Sequence, residues 1–108
     1  MTVANLAALD GMRALTCPEP EREIGGVYIG DLLSWVMGRA KADDAWITIM
    51  TNINVVAVAA LADTACIVLA EGVAPEQAVL DTAGAKGVNI LQCGRPIYET
   101  ALLLHENL

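Results

Sequence analysis

Positively charged and aromatic side chains are scarce in this sequence of 108 residues, and phenylalanine is absent. Six lysines and arginines stand against 13 aspartates and glutamates, which gives a formal net charge of −7 at pH 7. Proteins that bind nucleic acids or anionic membranes need clustered cations to meet the phosphates. Because the few cations here are scattered, we expect neither a nucleic-acid partner nor a membrane partner.

Long apolar runs and paired cysteines are missing as well. The longest apolar run, from Val55 to Ala62, is too short to span a bilayer, and the N-terminus lacks the features of a signal peptide. Cys17, Cys66 and Cys93 stand at wide spacings that form neither a disulfide framework nor a CxxC metal pair. We therefore predict a cytoplasmic protein with reduced thiols, no metal site and no cofactor.

What the sequence does contain is an excess of aliphatic side chains, since its hydrophobic fraction is 56%. The chain has the size of one domain and contains no linker-like stretch, so we predict a single domain over residues 1–108. A small monomer has limited interior, and part of its apolar surface stays exposed unless another subunit covers it. The composition therefore predicts a homodimer.

Apolar segments of two kinds alternate along the chain. The predicted strands cover residues 12–16, 24–29, 46–50, 65–70 and 88–91. The predicted helices cover residues 3–9, with Thr2 as a candidate N-cap, and residues 32–39, 55–62 and 75–85, and a last one runs from residue 96 to the C-terminus. This alternation predicts a three-layer α/β fold, with a mainly parallel sheet of about five strands and helices on both faces.

The segment 55–62 is ambiguous, because an unbroken apolar run suits a buried strand or a helix buried on all sides. Its alanines, the capping candidates Thr51 and Asn52 before it, and Asp63 after it favour a helix. A helix without a polar face must be covered on two sides. We expect the sheet to cover one side and a partner subunit to cover the other.

Ligands of open α/β sheets usually bind beyond the carboxyl ends of the strands. The candidate ligand-binding residues at these ends are Asp31, Ser34, Thr51, Asn52, Asn54, Glu71, Gly72 and Cys93. The densest polar group among them is Thr51-Asn52-Ile53-Asn54. The same residue types also cap helices in any protein, and Asp31 is the predicted N-cap of the helix over 32–39, so a purely structural role stays open.

No catalytic residue is predicted. Cys93 precedes a helix N-terminus, where a thiol pKa is often lowered, but no histidine stands near it to activate it. The lone His105 lies close to the end of the chain. Gly84-Ala85-Lys86 is followed by Gly87, where a P-loop needs serine or threonine, so we expect no nucleoside triphosphate site of that type.

One pattern of residues extends over most of the chain. It reads Arg22-Glu23-Ile24-x-Gly26-x-Tyr28-x-Gly30-Asp31-Leu32-Leu33-Ser34-x-Val36, then Trp46-Ile47-Thr48-Ile49-x-Thr51, then Asn54-Val55-Val56-Ala57-Val58-Ala59-x-Leu61. This pattern resembles the DRTGG domain family, in particular its short stand-alone members. The resemblance implies a fold similar to the N-terminal domain of HPr kinase/phosphorylase and a regulatory, dimerising role.

The sequence departs from the motif that gives this family its name. Asn52-Ile53-Asn54 stands where many members carry an Asp-Arg pair, and Ala70-Glu71-Gly72 stands where they carry Thr-Gly-Gly. Because neutral groups replace a cation, a phosphate-rich ligand is less expected here than in relatives.

These observations lead to three functional hypotheses. The first is a non-catalytic regulatory or ligand-sensing module that acts as a homodimer and binds a small molecule or a partner protein. The second is a protein-serine kinase by analogy with the HPr kinase family, although no phosphate cradle is visible. The third is a hydrogenase-associated redox or iron–sulfur accessory protein, in which Cys17 and Cys93 of two chains supply four thiols.

Overall fold

The computed structural model describes residues 1–108, which form five strands and five helices. The strands are β1 (Met12–Thr16), β2 (Gly26–Ile29), β3 (Asp44–Thr48), β4 (Cys66–Leu69) and β5 (Ile90–Cys93). The helices are α1 (Val3–Ala7), α2 (Leu33–Arg39), α3 (Asn54–Ala62), α4 (Gln77–Ala85) and α5 (Ile97–Asn107). No helix combines the length and the apolar character that crossing a membrane requires.

All five strands belong to one sheet, in the order β1-β5-β4-β3-β2. Strands β2, β3, β4 and β5 run parallel, whereas β1 pairs with β5 in the antiparallel sense. Helices α2, α3 and α4 connect the parallel strands in turn. The predicted α/β fold, with a mainly parallel sheet and helices on both faces, is confirmed.

The sheet separates two hydrophobic cores, because side chains of a strand alternate between its faces. Ala45 and Ile47 of β3 lie in the core that includes buried residues of α1 and α5. Trp46, between them, lies in the core that includes buried residues of α2, α3 and α4. Strands β3 and β4 are buried at every position, which agrees with their position inside the sheet.

The ambiguous segment 55–62 forms helix α3, as predicted. Val55, Val56, Val58 and Ala59 are buried, and α3 also contacts α2 and α4. Its remaining face is open, since 73% of Leu61 is exposed. The neighbouring helices thus provide part of the cover that we expected from a partner subunit.

Several predicted boundaries are wrong by two residues. Strand β2 begins at Gly26 rather than Ile24, because the Ile24 amide donates to the Met1 carbonyl (2.9 Å) instead of entering the sheet ladder. Strand β3 occupies residues 44–48 rather than 46–50. Strand β5 occupies residues 90–93 rather than 88–91, and Met12 of β1 pairs with its last residue, Cys93.

Helix capping follows the sequence in two cases and departs from it in one. Thr2 accepts a hydrogen bond from the Asn5 amide (3.1 Å) and caps α1, as the sequence suggests. The predicted N-cap Asp31 is wrong, because Leu32 occupies the N-cap position of α2. Helix α3 begins after Ile53, and its first amide, that of Asn54, donates to Asn52 Oδ1 (3.0 Å), so the capping candidate Asn52 does satisfy one free N–H group there.

Candidate ligand site

The segments predicted to form a ligand site do meet at one edge of the sheet. Strands β2 to β5 are parallel, so the loops that follow them lie at the same carboxyl edge. The Ala70 amide donates to the Thr48 carbonyl (3.1 Å), and the Gly72 amide donates to the Cys93 carbonyl (3.0 Å). We call the loops after β2, β3, β4 and β5 the carboxyl rim.

Asp31 connects two of these loops. Its carboxylate oxygen Oδ1 accepts hydrogen bonds from the Thr48 hydroxyl (2.7 Å) and the Ile49 amide (3.1 Å). The Thr48 hydroxyl oxygen accepts a further hydrogen bond from the Met50 amide (3.3 Å). Asp31 therefore holds the loop after β2 against the end of β3, which is the role it takes in place of a helix cap.

Glu71 and Gly72 form a turn that closes onto the end of β5. Both residues have positive φ angles, +61° and +70°. The Glu71 amide donates to the Arg95 carbonyl (2.8 Å), and its carboxylate accepts from the Ile97 amide (3.3 Å). Ile97 is the first residue of α5. Glu71 thus caps α5 from a distant loop, satisfying one of the free N–H groups at that helix end.

Cys93 is fully buried, at 0% exposure, in the same core as Cys66. Its thiol therefore does not face the carboxyl rim. Cys17 lies near the opposite edge of the sheet, because β1 is antiparallel to β5 and ends beside Ile90. Cys17 and Cys93 of one chain are thus held apart, and they do not form a shared site.

The chemistry of the other two thiols also favours a structural role. Burial, with a smaller contribution from the neighbouring Cys17, raises the pKa of Cys66 to about 12 against an opposing effect of Arg22. Burial also raises the pKa of Cys17. A raised thiol pKa disfavours the thiolate, which is the reactive form and the metal ligand. No group of three or more His, Cys, Asp or Glu side chains is arranged to hold a metal ion.

Several polar side chains at the carboxyl rim make no hydrogen bond to the rest of the chain. They include Ser34, Thr51, Asn54, Glu76 and Arg95. Asn52 uses only its Oδ1 atom, which accepts from the Asn54 amide (3.0 Å). Ser34 lies in the first turn of α2 and Asn54 begins α3, and the two helices pack against each other. Free hydroxyl and amide groups are therefore available at the paired N-termini of α2 and α3.

Arg95 is a rim residue that sequence reasoning did not select. Its guanidinium lies over Gly11, where an added Cβ would be 3.4 Å from Nε, and no carboxylate lies within ion-pair distance. Gly11 also has a φ of +87°, a left-handed conformation that glycine adopts without strain. The only sequence signal for Arg95 is its place immediately after Cys93-Gly94 at the end of β5.

The largest cleft, of about 590 Å³, lies at the opposite edge of the sheet. The residues that line it are Pro18, Glu19, Pro20, Glu21, Arg22, Asp43 and Asp63. The Arg22 guanidinium donates to Asp43 Oδ1 (3.0 Å) and Asp63 Oδ1 (2.8 Å). Partial burial lowers the pKa of Arg22, but hydrogen bonds and charges of these two aspartates outweigh it and raise that pKa. Apart from its two prolines, no aliphatic or aromatic side chain lines this cleft, and its one cation is already paired with two carboxylates, so its lining differs from the mostly apolar lining that is typical of a small-molecule pocket.

Comparison with known proteins agrees with this architecture. A family model described as the DRTGG domain matches residues 6–107. The chain is also similar to a crystal structure of the CBS and DRTGG domains of the regulatory region of Clostridium perfringens pyrophosphatase, complexed with activator, diadenosine tetraphosphate. The TM-score is 0.77 at 12% sequence identity, over 99% of this chain and 47% of that chain. The present chain thus spans about half the length of that protein chain, and no curated protein matches it.

Proposed function

Because this chain belongs to the DRTGG domain family, we propose that it is a non-catalytic regulatory module that senses a small molecule and acts as a homodimer in the cytoplasm. The family match over residues 6–107 is the observation that carries this proposal. The similar pyrophosphatase structure supports it, because there a DRTGG domain belongs to a regulatory region that was crystallised with an activator.

The ligand contacts in this proposal are the rim side chains that have spare hydrogen-bonding capacity. Ser34, Thr51, Asn52 and Asn54 offer hydroxyl and amide groups beside α2 and α3, and Arg95 offers one cation across the rim. Asp31, Glu71 and Gly72 hold the loops in place, and Cys93 packs beneath them. Such a set suits a polar ligand with one anionic group rather than a ligand rich in phosphates.

Two rim carboxylates support a non-catalytic role, because they already accept hydrogen bonds from the chain itself. Phosphoryl transfer requires a phosphate cradle, carboxylates that hold metal ions and a base in one place. Asp31 and Glu71 already accept hydrogen bonds from backbone amides of the chain. We expect no transfer of label from ATP and magnesium to candidate acceptor proteins. A transfer rate that falls in Asp31→Ala would support the kinase hypothesis instead.

The homodimer is supported by the apolar side chains that the single chain leaves exposed. The large exposed ones are Val27, Ile29, Leu32, Trp35, Met37, Ile49, Ile53, Leu61, Tyr98, Leu102 and Leu108. Scattered apolar residues are normal on a surface, but exposed apolar patches mark interaction sites. Sedimentation velocity tests this part of the proposal, and a strict monomer at high micromolar concentration would contradict it.

Ligand sensing is tested first by native mass spectrometry of the protein purified gently from its own source, which reports subunit count and retained small molecules together. Isothermal titration calorimetry then measures any ligand found. The initial calorimetric panel contains nucleotides, diadenosine tetraphosphate and small organic acids. We expect Thr51→Ala and Asn54→Ala to weaken binding about 3- to 10-fold, the usual effect of losing one hydrogen bond.

A matched control for these variants is Asn107→Ala, which removes an exposed asparagine at the C-terminal end of α5. It should leave binding unchanged. Equal losses in Asn54→Ala and Asn107→Ala would mean that the rim does not hold the ligand. A protein that carries no bound mass and responds to nothing in the panel would contradict the sensing role itself.

A further inference from the structure

The two edge strands of the sheet are protected to different degrees against pairing with another strand. Natural proteins protect edges with charges, prolines and bulges. Edge strand β1 carries Arg13, has a register shift between Ala14 and Thr16, and is followed by Pro18. Edge strand β2 has none of these features, because residues 24–30 contain no charge, no proline and no bulge. Only β2 therefore presents an edge that is free to pair.

One face of β2 is also left uncovered. On this face of the sheet α1 contacts β1 and α5 contacts β3. Val27 and Ile29 are 38% and 48% exposed, whereas their partners on β3, Ala45 and Ile47, are fully buried. The two helices on this face thus leave a bare apolar strip along the edge strand.

Other large apolar side chains close to β2 in the sequence are exposed as well. Ile49 follows Ile47 by two residues and is 40% exposed. Leu32 and Trp35 are 55% and 52% exposed and lie in the segment after β2 that leads into α2, the helix on the other face of the sheet. Together with Val27 and Ile29, and counted over both faces of the sheet, these exposed fractions of ordinary side-chain areas amount to roughly 400 Å² of apolar surface. A standard interface buries about 800 Å² per partner, of which about 57% is apolar. The flank formed by β2 and α2 therefore carries nearly the apolar area that a stable dimer needs.

We propose that β2 is the dimerisation edge, where β2 of a second copy pairs in the antiparallel sense across a two-fold axis. This inference rests on the proposed homodimer. The net charge of −7 opposes contact between two copies over most of the surface, whereas β2 carries no charge, so two copies can meet at this edge without opposing carboxylates. Pairing joins two five-stranded sheets into one and places Val27 and Ile29 of both copies beside each other on the same face.

Sedimentation velocity over a concentration series tests the proposal with the double variant Val27→Lys/Ile29→Lys. Both positions are exposed in the single chain, so the fold should tolerate lysine there. Four lysines then meet across the two-fold axis, and we expect the dimer dissociation constant to rise about 100-fold or more. Ala14→Lys, an exposed position on the other edge strand, is the matched control and should dimerise like wild type.

Amide hydrogen exchange provides a second measurement that needs no variant. The amides of residues 26–29 should gain protection as protein concentration rises, while those of residues 12–16 should not. If the double variant dimerises as tightly as wild type, or if the wild-type dimer shows no added protection of β2, the homodimer stands but β2 is not its interface. A strict wild-type monomer overturns both. Protection of β2 by a co-purified polypeptide of different mass overturns the second copy in favour of another protein.

Discussion

At the scale of single residues, Asp31 shows how tertiary contacts decide the use of a side chain. Its carboxylate accepts from the Thr48 hydroxyl and the Ile49 amide, so it fastens β2 to the end of β3 instead of capping α2. We expect Asp31→Ala to lower the free energy of unfolding by about 1–2 kcal/mol, since two hydrogen bonds are lost. Urea unfolding measures this effect.

Asp31→Asn is the informative companion, because its amide oxygen still accepts hydrogen bonds. It should retain most of the stability. If both variants unfold like wild type, the link between β2 and β3 contributes nothing measurable. If helix content falls without loss of stability, the side chain acts on α2 after all.

The Cys66 thiol predicts a stability change at high pH. Burial raises its pKa from the ordinary 9.0 to about 12 in the folded protein. Above pH 9 the unfolded chain loses this proton while the folded chain keeps it, so stability present below pH 9 is lost as pH rises toward 12. The free energy of unfolding should fall by up to about 1.4 kcal/mol per pH unit in this window.

Urea unfolding between pH 8 and pH 11, in wild type and Cys66→Ala, isolates this contribution. Lysines and tyrosines titrate in both proteins, so only the difference in slope reports on the thiol. The variant should have the shallower slope above pH 9. Parallel curves would mean that Cys66 ionises in the folded state as easily as in the unfolded state.

At the scale of elements, the amino edge of the sheet is held together by one loop. Arg22 bonds Asp43, which precedes β3, and Asp63, which follows α3. The buried side chain of Asn89 accepts from the Glu19 amide (2.9 Å) and donates to the Glu19 carbonyl (2.8 Å). The loop between β1 and β2 therefore connects the ends of β3, α3 and β5.

We expect Arg22→Ala to lower the free energy of unfolding by about 1–2 kcal/mol, a modest loss because both aspartates are largely exposed to solvent. Arg22→Lys should recover only part of it, since a single ammonium cannot reproduce the planar fork of the guanidinium. Arg13→Ala is the control, because Arg13 is exposed and has no ionic partner. Equal stability of the two alanine variants in urea would contradict the connecting role of this loop.

At the scale of the whole molecule, the charge imbalance should make stability depend on salt. A net charge of −7 on a small domain repels itself in the folded state, and added salt screens this repulsion. We expect the free energy of unfolding to rise between about 20 mM and 300 mM sodium chloride, where the Debye length shortens from about 20 Å to about 6 Å. Urea unfolding at several salt concentrations measures the slope.

Neutralising exposed carboxylates gives the control for this prediction. Glu21→Gln and Glu106→Gln remove two negative charges at exposed positions that form no ion pair. The double variant should have a smaller salt slope than wild type. A slope that stays the same, or a stability that falls with salt, would show that attractive ion pairs outweigh the net repulsion.

Local patterns in the sequence are sufficient to predict the order of the elements and the class of the fold. Hydrophobic periodicity, the Thr2 cap and the alternation of strands with helices depend on neighbouring residues, so they can be found without a structure. The same local patterns indicated that the loops after the parallel strands share one edge of the sheet, and they carried the resemblance to the DRTGG family.

The roles of the individual side chains in those loops, in contrast, follow from contacts between segments that are distant in sequence. Asp31 bonds Thr48 at the end of β3, and Glu71 bonds the amide of Ile97 at the start of α5. Cys93 packs in a core that several elements build. All these partners are distant in sequence from the residues they contact. The bare strip at Val27 and Ile29 likewise results from where α1 and α5 lie on the sheet. Such contacts are set by packing between distant segments, and local sequence patterns do not encode them.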